Sequence, residues 1–407
     1  MAIKTDPALI HEISHRSVAE IYPTREALEA ALASGRQLTF YCGIDPTATY
    51  VHLGHSTNYI ILDRLHKMGH KIKVLVGDFT AMIGDPSDKT SARVQLTADE
   101  VQENLHTFKR QIGKILDFDN PDNPIEFVFN GDWLKNLTFK DAVELASNFT
   151  VQQMLERDAF QKRLKEQKPL YVHEFFYPLM QGYDSVAMDV DAEIGGTDQT
   201  FNMLAGRTLL KRYKDKEKFV IATTLLENPE TGEKLMSKSL GTGIGMDEPP
   251  RDMFFKAMQL ADAGVIQCFI DCTRLTLDEI DNIKAELTGG ANPRDIKLRL
   301  AHEIVRMYHD QAAADTAQAA WLSEVSGKNK PTDIAEHPID QPEINIPHEL
   351  ITLGIADSLS NARRLIQQGG VRINDTKIDQ ETATVNDGDL LQVGKKHIYR
   401  LRLEVRD

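Results

Sequence analysis

The pattern of apolar and polar positions predicts alternating strands and helices in the first part of the chain. An apolar run at 40–42 predicts a short strand, which turn residues at 45–47 end. Apolar residues then recur at helical spacing from Ile60 to Met68, and branched apolar residues at 71–76 predict a buried parallel strand. Strand, helix and strand within about 35 residues make a right-handed βαβ unit, which indicates an α/β fold.

The same pattern divides the rest of the chain into regions. Val18, Ile21 and Leu28 predict helices in the first 35 residues, with Pro23 between them. The predicted regions are an α/β domain over 1–248 with a mostly helical insertion over about 90–170, a helical domain over 249–323, a proline-rich linker over 324–348, and a small C-terminal domain over 349–407.

Composition is that of an ordinary soluble protein with several domains. The chain has 407 residues, 41% apolar and 27% charged, and we expect about two to four domains. No apolar run approaches the ~18 residues that span a membrane, and the N-terminus has no signal-peptide pattern. The three cysteines form no Cys-x-x-Cys pair, which favours reduced thiols and a cytoplasmic location. A net charge of −14 argues against indiscriminate nucleic-acid binding, so we expect no DNA partner and only local RNA contacts.

The first predicted strand leads into a segment suited to binding phosphate. We expect a helix to begin just before His52, and the free N–H groups of a helix N-terminus favour an anion. His52 and His55 would share one helix face, while Gly54 lets a ligand approach the backbone. Two solvated histidines or half of a zinc site would show the same spacing, although no further Cys or His pair of suitable spacing follows.

Two later stretches carry groups that suit a small polar ligand. Tyr177, Gln181 and Asp184 fall at i, i+4 and i+7, so a phenol, an amide and a carboxylate share one helix face. An exposed helix face would show the same pattern. Between Ile194 and Gln199, two glycines let a nucleotide approach the backbone and Asp198 accepts from ribose hydroxyls, with a tight turn as the alternative.

Two loops contain lysines that suggest phosphate binding. A P-loop requires a glycine directly before its lysine, and in the segment at 84–90 Asp88 precedes Lys89 instead. An Asp-Pro turn without a functional role would explain this segment equally well. The second loop surrounds Lys238, and glycines at 232, 241, 243 and 245 predict a mobile segment able to close over a ligand.

Several of these segments resemble motifs of one enzyme family. His52-Leu-Gly-His55 resembles the HIGH motif of class I aminoacyl-tRNA synthetases. Residues 235–239 resemble their KMSKS loop, with Leu235 in place of the first lysine and Lys234 one position earlier. The turn at 84–89 and the helix at 177–184 resemble substrate-binding elements of tyrosyl-tRNA synthetases, and residues 358–378 resemble the S4 RNA-binding fold.

The resemblance to bacterial-type tyrosyl-tRNA synthetases covers essentially the whole chain and implies both fold and activity. It implies a Rossmann-like domain with a parallel sheet, a helical domain that approaches the anticodon, and an α+β S4 domain. The implied reaction activates L-tyrosine with ATP, releasing pyrophosphate, and then transfers tyrosine to tRNA(Tyr). Mg²⁺ would arrive with ATP, the protein itself would hold no metal tightly, and the insertion would pair two chains in a homodimer.

The resemblance also implies roles for individual side chains. The implied catalytic residues are His52, His55, Ser237, Lys238 and Ser239. Those implied to bind tyrosine are Tyr41, Asp85, Tyr177, Gln181, Asp184 and Gln199. Those implied to bind ATP are Gly43, Asp45, Thr47, Gly54, Gly196, Asp198, Met236 and Lys238. Those implied to bind RNA are Arg363, Arg364, Arg372 and Lys377. Asp184 and Tyr41 would hold the phenol hydroxyl, and phenylalanine would leave both groups unpaired.

Three other interpretations stay open. A tryptophanyl-type synthetase shares the architecture, but Tyr41, Asp184 and the S4 segment disfavour it. An HxGH nucleotidyltransferase would need neither the tyrosine helix nor an RNA-binding segment. A non-catalytic RNA-binding paralogue would be expected to have lost some of His52, His55 and Lys238, and all three are present.

Overall fold

The computed structural model describes residues 3–47, 49–87, 97–232, 234–236, 243–325, 334–356, 358–374, 376–394 and 397–403. The chain forms two compact units, Met1–Trp321 and Leu322–Asp407.

A six-stranded sheet organises the first unit. Its strands are β1 (Val18–Tyr22), β2 (Thr39–Ile44), β3 (Lys71–Val76), β4 (Glu126–Phe129), β5 (Ala192–Gly196) and β6 (Phe219–Thr223), in the spatial order β1-β6-β5-β2-β3-β4. Strands β2 to β6 are parallel, and β1 is antiparallel to β6 at the edge. The predicted α/β fold with a parallel sheet is therefore confirmed. The strand order reverses between β2 and β5, the point at which such sheets bind ligands.

Helices cover this sheet and continue beyond it. They are α1 (Pro7–His15), α2 (Arg25–Ala33), α3 (Ser56–Lys67), α4 (Thr80–Ile83), α5 (Ala98–Leu105), α6 (Phe108–Ile112), α7 (Gly131–Leu134), α8 (Phe139–Ala146), α9 (Val151–Leu155), α10 (Asp158–Lys165), α11 (Tyr177–Met188), α12 (Thr200–Lys214), α13 (Pro250–Met258), α14 (Val265–Cys272), α15 (Leu277–Thr288), α16 (Pro293–Tyr308) and α17 (Gln311–Val325). Short 3₁₀ turns occupy Leu53–His55, Val172–Phe175, Thr197–Gln199 and Asp262–Gly264.

The helical region after residue 249 shares one hydrophobic core with the α/β region. Phe254, Phe269 and Leu300 belong to the same buried cluster as Leu53 and Ile61. The predicted boundary at 248/249 therefore separates two kinds of secondary structure inside one compact unit.

The N-terminal segment contains a strand where the sequence pattern predicts a helix. Val18 and Ile21 are buried in β1, three residues apart, a spacing that imitates a helical repeat. A bulge between Val18 and Glu20 shifts the alternation of the strand by one residue, so both apolar side chains face the same side.

The second unit contains two small sheets. Its strands are β7 (Ala335–Ile339), β8 (Glu343–Asn345), β9 (Val371–Ile373), β10 (Thr376–Lys377), β11 (Thr382–Thr384), β12 (Leu390–Val393) and β13 (His397–Leu403), and its helices are α18 (Ile346–Thr352) and α19 (Leu359–Gln367). The strand orders are β10-β9-β12-β13-β7 and β11-β8. Part of the predicted linker therefore forms strands. Pro338 suggested a linker, but β7 is an edge strand, where a missing N–H is tolerated.

Among the described residues, no single helix is long and apolar enough to cross a membrane, although Pro250–Met258 and Asp262–Cys272, bent by 112°, meet that criterion as a pair.

Candidate active site

A cavity of about 680 Å³ opens where the order of the parallel strands reverses. Its walls come from the carboxyl ends of β2, β3, β5 and β6, from α11 and from the His52–His55 segment. The predicted site residues that line it are Tyr41, Gly43, Asp45, Thr47, His52, Gly54, His55, Asp85, Tyr177, Gln181, Asp184, Gly196, Asp198, Gln199 and Met236. The fold thus brings segments from distant parts of the chain into one site. Ser237, Lys238 and Ser239 lie outside the described residues.

The two histidines stand at the start of α3, although that helix begins four positions later than expected. His52 precedes the 3₁₀ turn Leu53–His55 and accepts a hydrogen bond at Nδ1 from the Gly54 N–H, at 3.1 Å. The two imidazole centroids are 4.0 Å apart. A Cβ on Gly54 would lie 2.8 Å from His52 Cε1, so glycine is needed to keep this ring in place.

Backbone hydrogen bonds hold both ends of the loop that contains Lys238. Before it, the Leu235 N–H donates to the Leu226 carbonyl at 3.0 Å. After it, Ile244 and Met246 bond to Leu53 and Val51, on either side of His52. Lys234 and Met236 line the cavity, whereas Leu235 is buried. The described residues that follow the predicted loop are therefore bonded to the backbone on both sides of His52.

One end of the cavity is built around a buried carboxylate. Asp184 is 1% exposed and accepts from Trp133 Nε1 at 2.8 Å and from Asn130 Nδ2 at 3.3 Å. Burial raises the pKa of Asp184 well above its ordinary value, against the effect of these two donors. Tyr41, the expected partner of Asp184, lines the same cavity, but its hydroxyl lies 2.9 Å from Ser185 Oγ.

A second group of polar residues surrounds Asp85. Gln199 Nε2 donates to one of its carboxylate oxygens at 2.7 Å, and Arg157 lies 3.2 Å from the other. The Ser87 N–H also bonds to Asp85, at 2.9 Å, and fixes the turn. Two predicted tyrosine-binding residues, Asp85 and Gln199, are thus direct partners.

The helix face predicted from residue spacing is present on α11. The Tyr177 hydroxyl donates to Asp45 Oδ2 at 2.9 Å, and Gln181 Nε2 donates to Glu193 Oε1 at 3.0 Å. Asp45 also accepts from the Thr80 hydroxyl at 2.7 Å. Each donor is fixed by an acidic partner, so the oxygens of Tyr177 and Gln181 can accept hydrogen bonds from a ligand.

Close packing explains the glycine at the carboxyl end of β5. A Cβ on Gly196 would lie 2.5 Å from Asp198 Oδ1 and 2.8 Å from a Leu225 methyl carbon. Only glycine leaves Asp198 in this position on the cavity wall.

Sequence reasoning missed several polar residues of the site. Asn130 and Trp133 lie after β4, Ser185 follows Asp184 on α11, and Lys218 immediately precedes β6. Each contacts a predicted residue or its neighbour, but none belongs to a recognisable motif. Glu193 of β5 accepts from Gln181 and forms a buried ion pair with Lys218.

The acidic residues of the cavity already have protein partners. Asp45, Asp85, Asp184 and Glu193 each accept hydrogen bonds from side chains of the first unit. Among the described residues, the group of His, Cys, Asp or Glu side chains close enough to share a metal is His11, His15 and Glu29, none of which lines the cavity.

The residues predicted to bind RNA are exposed on the second unit. Arg363 and Arg364 lie on α19, and Arg372 pairs across β9 and β10 with Lys377. Arg363 donates to Glu381 at 3.0 Å. All four are exposed basic side chains, a type that contacts phosphate.

Comparison with known proteins agrees with this arrangement. The family profile of class I tRNA synthetases (W and Y) matches residues 33–325, and that of the tyrosine--tRNA ligase SYY-like C-terminal domain matches residues 328–398. Tyrosine--tRNA ligase 2 of Clostridium acetobutylicum is 42% identical over 398 residues, which cover 97% of this chain and 98% of that protein. Tyrosine--tRNA ligase of Haemophilus ducreyi is 41% identical over 398 residues, 98% of each chain.

Solved structures share the fold. The truncated mitochondrial tyrosyl-tRNA synthetase of Aspergillus nidulans matches with a TM-score of 0.65 at 20% identity, over 77% of this chain and 93% of that one. The Archaeoglobus fulgidus enzyme, solved with L-tyrosine, matches with a TM-score of 0.60 at 21% identity, over 77% and 99%. By its matched profiles and its full-length relatives, the chain belongs to the tyrosine--tRNA ligases of the class I tRNA synthetase family.

Proposed function

We propose that the cavity of the first unit is the place where this tyrosine--tRNA ligase joins L-tyrosine to ATP. The observation that carries the proposal is the buried Asp184 carboxylate, which lines the same cavity as His52 and His55. A buried carboxylate suits a hydroxyl donor, and the two histidines suit phosphate.

The tyrosine substrate uses the side of the cavity lined by α11. Its phenol hydroxyl donates to Asp184 and accepts from Tyr41. Its ammonium group donates to Asp85, Tyr177 and Gln181, whose oxygens are oriented by neighbouring side chains. Phenylalanine lacks the hydroxyl, so Asp184 and Tyr41 would lose a partner in a buried site, which costs several kcal/mol, roughly 1–3 per group.

Activation requires positioning and charge stabilisation more than a base. An oxygen of the tyrosine carboxylate, already ionised at pH 7, bonds to the α-phosphorus, and the bond from that phosphorus to the β-phosphate oxygen breaks. Pyrophosphate leaves with the electron pair. The imidazoles of His52 and His55 and the predicted Lys238 stabilise the charge that grows on the phosphates. Mg²⁺ enters with ATP as the counter-ion of its phosphates.

The ribose of ATP binds beside the carboxyl ends of β2 and β5. Asp198 accepts from the ribose hydroxyls, and Gly43, Gly54 and Gly196 let the nucleotide approach the backbone. In the second step a hydroxyl of the terminal tRNA ribose attacks the tyrosyl carbonyl and AMP leaves. Exposed basic residues of the second unit hold the tRNA through its phosphates.

The active protein is a homodimer formed through the insertion. Phe139, Val143, Val151 and Val172 are large apolar residues that expose 86%, 54%, 67% and 76% of their surfaces. Apolar groups of this kind, concentrated between residues 139 and 172, are typical of an interface with a second copy of the chain. Phe139→Asp is expected to shift the mass in light scattering from dimer to monomer, whereas Leu359→Asp, in the second unit, leaves it unchanged. A wild-type monomer at micromolar concentration would contradict the proposal.

The protein works in the cytoplasm. Cys42, Cys268 and Cys272 are all buried free thiols, which suits a reducing compartment.

The direct test is amino-acid-dependent exchange of pyrophosphate into ATP, run without tRNA. Exchange with tyrosine alone is expected, and His52→Ala or His55→Ala should abolish most of it. His11→Ala, an exposed histidine outside the cavity, is the matched control and should keep full exchange. Exchange with another amino acid would contradict the pocket assignment, and exchange that survives both histidine changes would contradict the phosphate assignment.

A further inference from the structure

A line of buried polar side chains connects Lys218 to the tyrosine pocket. Lys218, fully buried before β6, donates from Nζ to Ser185 Oγ at 2.8 Å and forms an ion pair with Glu193. Ser185 Oγ lies 2.9 Å from the Tyr41 hydroxyl. At the other end of the ion pair, Glu193 accepts from Gln181. The positive member of the pair, Lys218, is therefore connected to Tyr41 through Ser185. The negative member, Glu193, bonds directly to Gln181.

The helices around this line leave room for the ammonium group and little more. A Cβ on Gly206 of α12 would lie 2.5 Å from Lys218 Nζ and 2.8 Å from Ser185 Oγ. The Lys218 ammonium also lies 5.7 Å from the Tyr41 ring centroid, over its face, within the range of a cation–π interaction. The fold therefore holds a cation against Tyr41 and Ser185.

Burial of an ion pair is weak evidence that the pair stabilises the fold. Removing a lysine and a glutamate from water costs several kcal/mol, and apolar side chains of similar size often serve a core equally well. The location of this buried pair beside a ligand site therefore indicates that it has a function in that site.

The role follows from hydrogen-bond chemistry. Tyr41 and Gln181 can each act as a hydrogen-bond donor or as an acceptor. A hydroxyl can do either, and an amide can present its oxygen or its NH₂ group to the ligand. Ammonium groups only donate, and carboxylates only accept. Because Ser185 accepts from Lys218, its own proton is turned toward Tyr41. Tyr41 then accepts from Ser185, and its own proton points away from Ser185. Because Glu193 takes the NH₂ group of Gln181, the amide oxygen remains for the ligand.

We propose that the buried Lys218–Glu193 pair sets the hydrogen-bond direction of the tyrosine pocket. Lys218, acting through Ser185, makes Tyr41 a donor to the phenol oxygen of the substrate. Glu193 makes Gln181 an acceptor for the substrate ammonium. Both are positioning residues, and the inference rests on the pocket proposed above.

The test compares kcat/KM for tyrosine with kcat/KM for phenylalanine in pyrophosphate exchange. Ser185→Ala cuts the connection to Tyr41 and leaves the ion pair intact. Lys218→Met together with Glu193→Met removes both charges at once, because either change alone would leave a buried charge unpaired. Both variants are expected to lower the tyrosine-to-phenylalanine ratio about tenfold, with the KM for ATP little changed. Ser185→Ala should leave the value for phenylalanine little changed. The Lys218→Met/Glu193→Met variant should also lower that value, because Gln181 loses Glu193 and both amino acids carry the ammonium group that Gln181 binds.

A double-mutant cycle tests whether Lys218 acts through Ser185. Adding Ser185→Ala to the Lys218→Met/Glu193→Met variant should change the ratio little further, because the connection is already broken. Lys211→Met, an exposed lysine of α12 paired with Asp215, is the matched control and should leave the ratio unchanged.

A folded Lys218→Met/Glu193→Met variant with the wild-type ratio would overturn the inference. This holds whether both kcat/KM values are unchanged or fall by the same factor, as a purely structural role would produce. If circular dichroism shows that the Lys218→Met/Glu193→Met variant does not fold, the tyrosine-to-phenylalanine ratio of Ser185→Ala tests the inference by itself. Asp184→Ala separates the two proposals: an unchanged ratio there refutes the pocket itself, whereas a lowered ratio with no effect of Ser185→Ala refutes only the role of Lys218.

Discussion

Leu235 lies directly against Gly264, so close that a Cβ on Gly264 would be 2.7 Å from both of its δ carbons. Leu235 occupies the position at which the resembling loop carries its first lysine, and it is buried in the hydrophobic core of the first unit. The neighbouring Lys234 lines the cavity instead. At this position the chain therefore has an apolar side chain that packs in the core, and the lysine is one residue earlier in the sequence.

Restoring the lysine is therefore expected to impair the enzyme. Leu235→Lys would place an ammonium in an apolar contact, so the side chain would leave it and shift the start of the loop. We expect kcat for pyrophosphate exchange to fall about tenfold, equivalent to about 1.4 kcal/mol in the barrier. Leu235→Met keeps the contact and should retain activity. Wild-type or faster exchange by Leu235→Lys would show that the contact has no role.

Asp184 is expected to set amino-acid specificity. Asp184→Ala removes the acceptor of the phenol hydroxyl and should reduce kcat/KM for tyrosine about 10- to 100-fold while changing that for phenylalanine little. Steady-state exchange with the two amino acids measures the effect. Asp315→Ala, an exposed acid on α17, is the control, and the pocket assignment fails if the two variants behave alike.

Arg16 is expected to stabilise the junction between the sheet and the later helices. It is 2% exposed and donates to the carbonyls of Phe269, Ile270 and Thr273, at the C-terminus of α14. Arg16→Met would leave these buried acceptors without a donor and should lower the free energy of unfolding by roughly 3–5 kcal/mol.

Denaturant titration measures this loss. Arg36→Met, at an exposed ion pair with Asp191, should change the free energy by less than about 0.5 kcal/mol. Equal stabilities of the two variants would contradict the assigned role of Arg16.

Asp271 is expected to make stability depend on pH. Burial raises the pKa of its carboxyl to about 6, although Gln267 donates to it at 2.7 Å. Because the folded chain holds this proton more tightly, the contribution to stability is complete below about pH 4 and is lost as the pH rises through about 6. Asp271→Asn cannot ionise, so its free energy of unfolding relative to the wild type should rise by about 3 kcal/mol between pH 4 and pH 8. A difference that does not change with pH would contradict this account.

Basic residues of the second unit are expected to affect only the tRNA step. Arg372→Ala and Lys377→Ala should each raise the KM for tRNA severalfold and weaken the salt dependence of aminoacylation, because each removes a proposed phosphate contact. Pyrophosphate exchange with tyrosine should stay at the wild-type level. Arg402→Ala, whose side chain pairs with Glu336 at 2.7 Å, is the comparison variant. Equal KM values in all three variants would argue against this surface.

Features encoded by neighbouring residues were predictable. The βαβ unit follows from apolar runs of strand and helix length, and the polar face of α11 follows from the spacing of Tyr177, Gln181 and Asp184 alone. Local spacing also identified the His52–His55 segment, but not the 3₁₀ turn before α3. That turn depends on bonds to Ile244 and Met246, which lie nearly 200 residues away.

Elements whose partners are distant in sequence were not predictable in the same way. β1 is a strand because β6 binds its edge, and β7 is a strand because β13 does. Within a short segment, a bulged strand and a helix place apolar residues at similar intervals. Only the pairing partner distinguishes them.

The sequence by itself therefore determined the fold class, the family resemblance and about half of the residues of the cavity wall. The tertiary structure decided which of those residues touch, and it alone brought Trp133, Ser185, Glu193 and Lys218 to the site. The physical reason is that local periodicity determines which way a side chain points on its own element. The hydrogen-bond partner of a buried group depends instead on how separate elements pack, and that information is spread over the whole chain.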